Sequence, residues 1–126
     1  MEVLSSRVIY RAADIARLRA FYEDTLGLRV YREYGAGGTV SGVVLFLGGG
    51  FLELTGGPGR SGPVTLWLQV PDVAHEERRL RTAGVPVLRA AERMPWGLVE
   101  AWVEDPEGNE LCLVEVPEDH PLRRRV

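Results

Sequence analysis

The sequence predicts an α+β fold made of two βαβββ modules. Three observations point to it: the order strand, helix, three strands occurs twice; the helix-capping Asp14 and Asp72 are 58 residues apart; and the turn-forming run GGPGRSGP separates the two halves. A period that long, used twice, reads as a duplicated unit and not a solenoid. Module one spans about 4–56, the linker about 57–63, module two about 64–117 and a tail 118–126.

In module one, RVIYRA (Arg7 to Ala12) alternates around Val8, Tyr10 and Ala12, a strand with one covered face. Asp14 supplies an N-cap for IARLRAFYEDTLG, whose Ile15, Leu18, Phe21, Tyr22 and Leu26 recur at helical spacing until Gly27 ends it. RVYREY, TVSGVVLFLG and GFLELT are β-rich runs parted by glycines, an antiparallel meander. In module two, VTLWLQV is an alternating strand, and PDVAHEERRLRTAG is a helix capped by Asp72 and closed by Gly84. Three strands follow, in VPVLRA (Val85 to Ala90), GLVEAWVE and NELCLVEV. DPEG (Asp105 to Gly108) has the residues of a type I turn and joins the last two as a hairpin.

Alternation then sorts side chains by face. Val8, Tyr10, Leu52, Leu54, Leu66, Leu68, Val70, Leu111 and Leu113 form an apolar set expected beneath the helices. The opposite face carries Arg7, Ile9, Arg11, Phe51, Glu53, Thr65, Trp67, Gln69, Glu110, Cys112 and Val114, a mixture that no simple core would choose. It is expected to line a cavity. For the seventh strand, either Leu98, Glu100, Trp102 and Glu104 or Val99, Ala101 and Val103 share that face; alternation alone leaves both open.

Composition excludes several functions. With 45% hydrophobic and 26% charged residues the chain is that of a globular protein. Its net charge of −3 gives no electrostatic case for nucleic acid, and the basic run Arg123 to Arg125 reads as a solvated tail. All 15 basic residues are arginine, so a Schiff-base or general-base lysine is excluded. Cys112 is the only cysteine, which rules out an intrachain disulfide or a Cys-rich zinc site. No run of about 18 apolar residues and no signal-like start is found, so no membrane partner and a cytoplasmic location are expected.

DIARLRAFYEDTLGL, ELTGG, MPWGLVEAWVEDPEGN and LCLVE together resemble the vicinal oxygen chelate superfamily of glyoxalases, bleomycin-resistance proteins and dioxygenases. The resemblance implies paired modules bent into a U-shaped sheet around a cavity, and a homodimer. It also implies four metal-ligand positions, which fall here on Arg7, Glu53, Thr65 and Cys112. Arginine cannot ligate, because it stays protonated and has no acceptor, and a divalent ion needs three or four imidazole, thiolate or carboxylate ligands. His75 lies on the second helix, facing solvent, and His120 in the tail. No metal or other cofactor is therefore expected.

An isolated buried carboxylate costs several kcal/mol after relaxation, so Glu53 needs a partner or a proton. Arg7 is the expected partner, and such a pair would depress the Glu53 pKa. Trp67 and, in the matching register, Trp102 would offer aromatic walls; Trp96 in MPWG resembles a loop aromatic at the cavity mouth. Cys112 has no histidine in the pattern to activate it and reads as a core cysteine. The expected function is metal-independent binding of a small aromatic or cationic molecule. The rivals are a lyase, an isomerase or a dioxygenase-type enzyme using Glu53, and a regulatory dimer with a vestigial cavity.

Overall fold

The computed structural model describes residues 1–125, with side chains through Arg123. The chain divides into two units, Met1–Gly62 and Pro63–Val126, inside the glycine-rich segment. In the first unit the elements are β1 (Arg7–Arg11), α1 (Ile15–Ala20), a π-helical turn (Phe21–Thr25), β2 (Val30–Ala36), β3 (Thr39–Leu47) and β4 (Gly50–Thr55). In the second they are β5 (Thr65–Gln69), α2 (Val73–Thr82), β6 (Val87–Arg93), β7 (Val99–Glu104), β8 (Glu110–Glu115) and a 3-10 turn (Pro121–Arg125). Both are βαβββ, which makes the fold α+β.

Each unit forms one four-stranded sheet, ordered β1-β4-β3-β2 in the first and β5-β8-β7-β6 in the second. The first strand pairs parallel to the last and the other pairs are antiparallel. A parallel neighbour requires a crossover, and the helix supplies it. Both helices start where an aspartate outside the helix accepts a backbone N–H: Asp14 from Arg17 at 3.1 Å and Asp72 from His75 at 3.0 Å.

Beneath the helices lie Tyr10, Leu52 and Leu54 with Val43, Leu45 and Leu18 in unit one, and Leu66, Leu111 and Leu113 with Ala101, Val103 and Leu80 in unit two. Val8 departs from the expected set, being 41% exposed, and Leu68 and Val70 are only half-buried. Val8 and Leu68 sit on β1 and β5, edge strands with a neighbour on one side only.

Three further differences have local causes. The first helix does not run evenly to Gly27: from Phe21 it widens, with Leu26 N donating to the Phe21 carbonyl five residues back at 2.8 Å. Adjacent Phe21 and Tyr22 are thereby both buried, ring edge to ring face at 5.1 Å. The strand expected at Val85–Ala90 lies at Val87–Arg93 instead, because Val85 N closes the helix exit on the Leu80 carbonyl at 3.0 Å. The tail is not simply solvated. His120 Nδ1 accepts from Leu122 N at 3.2 Å, which leaves Nε2 to donate to the Trp96 carbonyl at 3.1 Å, and Arg123 donates to the Val116 carbonyl at 3.2 Å. The side chains of Arg124 and Arg125 lie outside the described residues.

Candidate functional site

On the sheet of unit one the face away from α1 is set by register. Arg7 lies opposite Phe51, Ile9 opposite Glu53 and Arg11 opposite Thr55; Val44 and Phe46 of β3 flank Glu53 and Phe51 on the other side. Glu53, its side chain 14% exposed, accepts from Arg7 Nη1 at Oε1 (2.7 Å) and from the Tyr34 hydroxyl at Oε2 (2.6 Å). The Tyr34 hydroxyl and then the Arg7 guanidinium hold the Glu53 carboxyl below the usual carboxylate range, the direction expected of a pair. Burial, and next the bond to Glu53, push the Tyr34 phenol up. The carboxylate is therefore ionised, with a donor on each oxygen.

Tyr34 was not legible as a partner. It stands opposite Gly42, and a Cβ at residue 42 would overlap its ring; this glycine is the space in which Tyr34 reaches Glu53. An irregularity in β2 between Val30 and Arg32 turns Tyr31 toward the same face, where its ring meets Phe46 at 5.3 Å and Phe51 at 4.8 Å. The Arg7 guanidinium lies over Phe51 and that of Arg32 over Tyr34, each 6.0 Å from the ring centroid. The face is a half-open aromatic platform edged by arginine.

On the sheet of unit two the same register logic settles the alternative left open on β7. Trp102 pairs with Cys112 and Glu100 with Val114, while Trp67 and Gln69 of β5 meet Cys112 and Val114 from the other side and Thr65 meets Glu110. Glu100, Trp102 and Glu104 therefore share the Cys112 face, and Ala101 and Val103 go beneath the helix. Trp102 packs on Leu98, Cys112, Val114 and Val116. Trp96 donates from Nε1 to Glu100 Oε2 at 2.8 Å, across a turn closed by Gly97 N to the Met94 carbonyl at 2.8 Å. The Cys112 thiol is 3% exposed; burial foremost, then the Glu100 charge, push its pKa up to about 12. A thiol so held is no nucleophile.

A cavity of about 330 Å³ opens on this sheet, lined by residues 89–92, Met94, Glu100 and Trp102. Of the residues read from the sequence, unit one brings Arg7, Phe51 and Glu53 into contact, with Ile9 and Arg11 on the same face. Unit two gathers Trp96, Glu100, Trp102 and Cys112, while Thr65, Trp67 and Gln69 are exposed along β5. Tyr31, Arg32, Tyr34 and Phe46 in unit one, and Arg89, Glu92 and Met94 in unit two, were not singled out. Tyr31, Arg32, Tyr34, Arg89 and Glu92 lie on β2 and β6, whose pairing is irregular in both units; Phe46 is on β3 opposite Phe51, and Met94 follows β6.

The residues at the superfamily's ligand positions do not fit a divalent metal. Arg7 is a cation, both Glu53 oxygens hold donors, Thr65 offers a neutral hydroxyl, and Cys112 holds its proton far above neutral pH. Among the described residues no three of His, Cys, Asp and Glu are grouped to hold a metal ion. No helix among them is long and apolar enough to cross a membrane.

The geometry has solved counterparts. The chain is similar to TioX from Micromonospora sp. ML1, with 22% identity, 90% of this chain and 98% of that one covered, and a TM-score of 0.79. It is similar to a lactoylglutathione lyase from Agrobacterium tumefaciens at 20% identity, 91% and 94% coverage and a TM-score of 0.72. A third likeness is to a superfamily member from Sphaerobacter thermophilus DSM 20745, at 24% identity, 90% and 98% coverage and a TM-score of 0.73. At these identities the likeness is one of fold. No curated protein matches the sequence significantly. The sequence profile of one family matches residues 5–113, nearly the whole of both modules, and the chain therefore belongs to the Glyoxalase/Bleomycin resistance protein/Dioxygenase superfamily.

Proposed function

We propose that this protein binds a small aromatic or cationic molecule without a metal and without transforming it, in the manner of the superfamily's binding members. The observation that carries the reading is the state of Glu53: its two oxygens are taken by Arg7 and Tyr34, and around it stand rings of Tyr31, Phe46 and Phe51 that no core covers. Phe46 is 44% exposed and Tyr31 51%, and large rings left open on a sheet face mark a binding surface.

An enzyme reading needs Glu53 as a base with a pKa lifted toward neutrality and an oxygen within reach of a substrate proton. Here the shift runs the other way and the oxygens are occupied. Tryptophan and tyrosine fluorescence titrated with a panel of aromatic compounds tests the proposal, with a saturable change expected from at least one. Metal analysis of protein purified without chelator is expected to find no stoichiometric divalent ion. About one ion per chain, or turnover lost in Glu53→Gln, would overturn it.

A further inference from the structure

The internal repeat supplies a control for the cavity of unit two. Residues 34 and 42, paired across β2 and β3, correspond at the 58-residue offset to Glu92 and Glu100, paired across β6 and β7. In unit one the place is filled: the Tyr34 ring lies over Gly42, and the nearby carboxylate, Glu53, has the guanidinium of Arg7. In unit two no ring fills it, and Glu100 lines the open space. The residue equivalent to Arg7 is Thr65, which carries no charge.

Glu100 is only 9% exposed. Its hydrogen-bond donor is neutral, the Trp96 indole N–H, and among the described residues it forms no ion pair. A carboxylate has room for about four hydrogen bonds, and a buried charge without a counter-ion is costly. The other charges lining the cavity, Arg89 and Glu92, are exposed and opposite in sign, so they leave the buried negative charge unanswered. Trp102 supplies a wall whose indole is backed by Leu98, Val114 and Val116, and Met94 adds a second apolar contact. A buried carboxylate beside an indole face is the environment that recognises a planar or methylated cation. Unit two as a whole carries eight arginines against twelve carboxylates, unit one seven against six, so the long-range field favours the same sign.

We propose that the cavity of unit two is a subsite for an organic cation, an amidinium, guanidinium or ammonium borne on a flat apolar group, with Glu100 as counter-ion and Trp102 as wall. It rests on the small-molecule-binding reading above and narrows the ligand to one charge. The test is calorimetric titration of the wild-type protein with benzamidine, benzamide and benzoate, three compounds of nearly one shape and three charge types. Benzamidine is expected to bind about 10-fold or more tighter than benzamide, with benzoate weakest, and Glu100→Gln is expected to erase the preference while keeping an acceptor for Trp96. The comparison within the wild type stands even where the variant does not fold. Benzamide or benzoate binding as tightly as benzamidine would overturn the cation subsite and leave small-molecule binding intact. No binding of any of the three would overturn the subsite, and flat titrations across the wider aromatic panel would remove the binding reading as well.

Discussion

Replacing Tyr34 by Phe removes one oxygen and leaves the ring, so its effect isolates the hydroxyl's bond to Glu53. That bond is 2.6 Å long, reaches a carboxylate with a side-chain exposure of 14%, and is the foremost cause of the lowered Glu53 pKa. Hydrogen bonds to charged groups contribute about 1.5–3 kcal/mol. Arg7 remains on the other oxygen and water can reach part of the vacated one, so the lower end applies, about 1–2 kcal/mol. For a chain of this size that is a fall in Tm of roughly 4–8 °C.

The pH dependence identifies the source. Glu53 titrates lower in the folded protein than in the unfolded chain, so its contribution is present above the unfolded carboxylate pKa and is lost as pH falls through the folded one. Tyr34→Phe raises the folded value toward the unfolded one and shrinks that contribution. The stability difference between wild type and variant, measured by urea unfolding, is therefore expected to be full near neutral pH and to diminish in acid. Carbon-13 NMR titration of the Glu53 carboxyl should show the variant's pKa above the wild type's. A difference that is flat across the acid range, or an unchanged Glu53 pKa, would refute the assignment.

Gly42→Ala places a methyl group into the Tyr34 ring and is expected to destabilise the protein by about 1–3 kcal/mol, since overpacking displaces the ring; the Glu53 pKa should rise as it does in Tyr34→Phe. Asn109, buried at 1% exposure, accepts from Val64 N at 3.0 Å and donates from Nδ2 to Asp105 at 2.9 Å. Its replacement by Ala strips both partners and should cost about 2–4 kcal/mol in urea unfolding. Asp72→Ala removes the cap bond to His75 N and should cost about 1 kcal/mol. Cys112 in native protein is expected to resist alkylation at mildly alkaline pH and to react once urea unfolds the chain, since its pKa of about 12 is a property of the fold.

Alternation and caps made the duplicated order, both helix starts and most of the apolar faces readable, because they depend on residues two to four apart. The pair of Arg7 with Glu53 was readable through the resemblance, which puts both residues at metal-ligand positions of the superfamily, together with the need of a buried carboxylate for a partner. Tyr34, by contrast, reaches Glu53 from two strands away across a glycine, a relation that no spacing in its own segment records. Likewise, nothing within residues 98–104 says which alternate set meets Cys112; the β7–β8 register does.

The sequence by itself determined that there are two modules, which residues alternate together and that Glu53 needed a partner or a proton. Tertiary structure decided who shares a face across strands: Tyr34 and the aromatic platform in one unit, Glu100 and an open cavity in the other. The physical reason is that parity along a strand is local, whereas register between strands is set by long-range pairing, and an irregularity such as that at Tyr31 or Leu88 resets the parity beyond it.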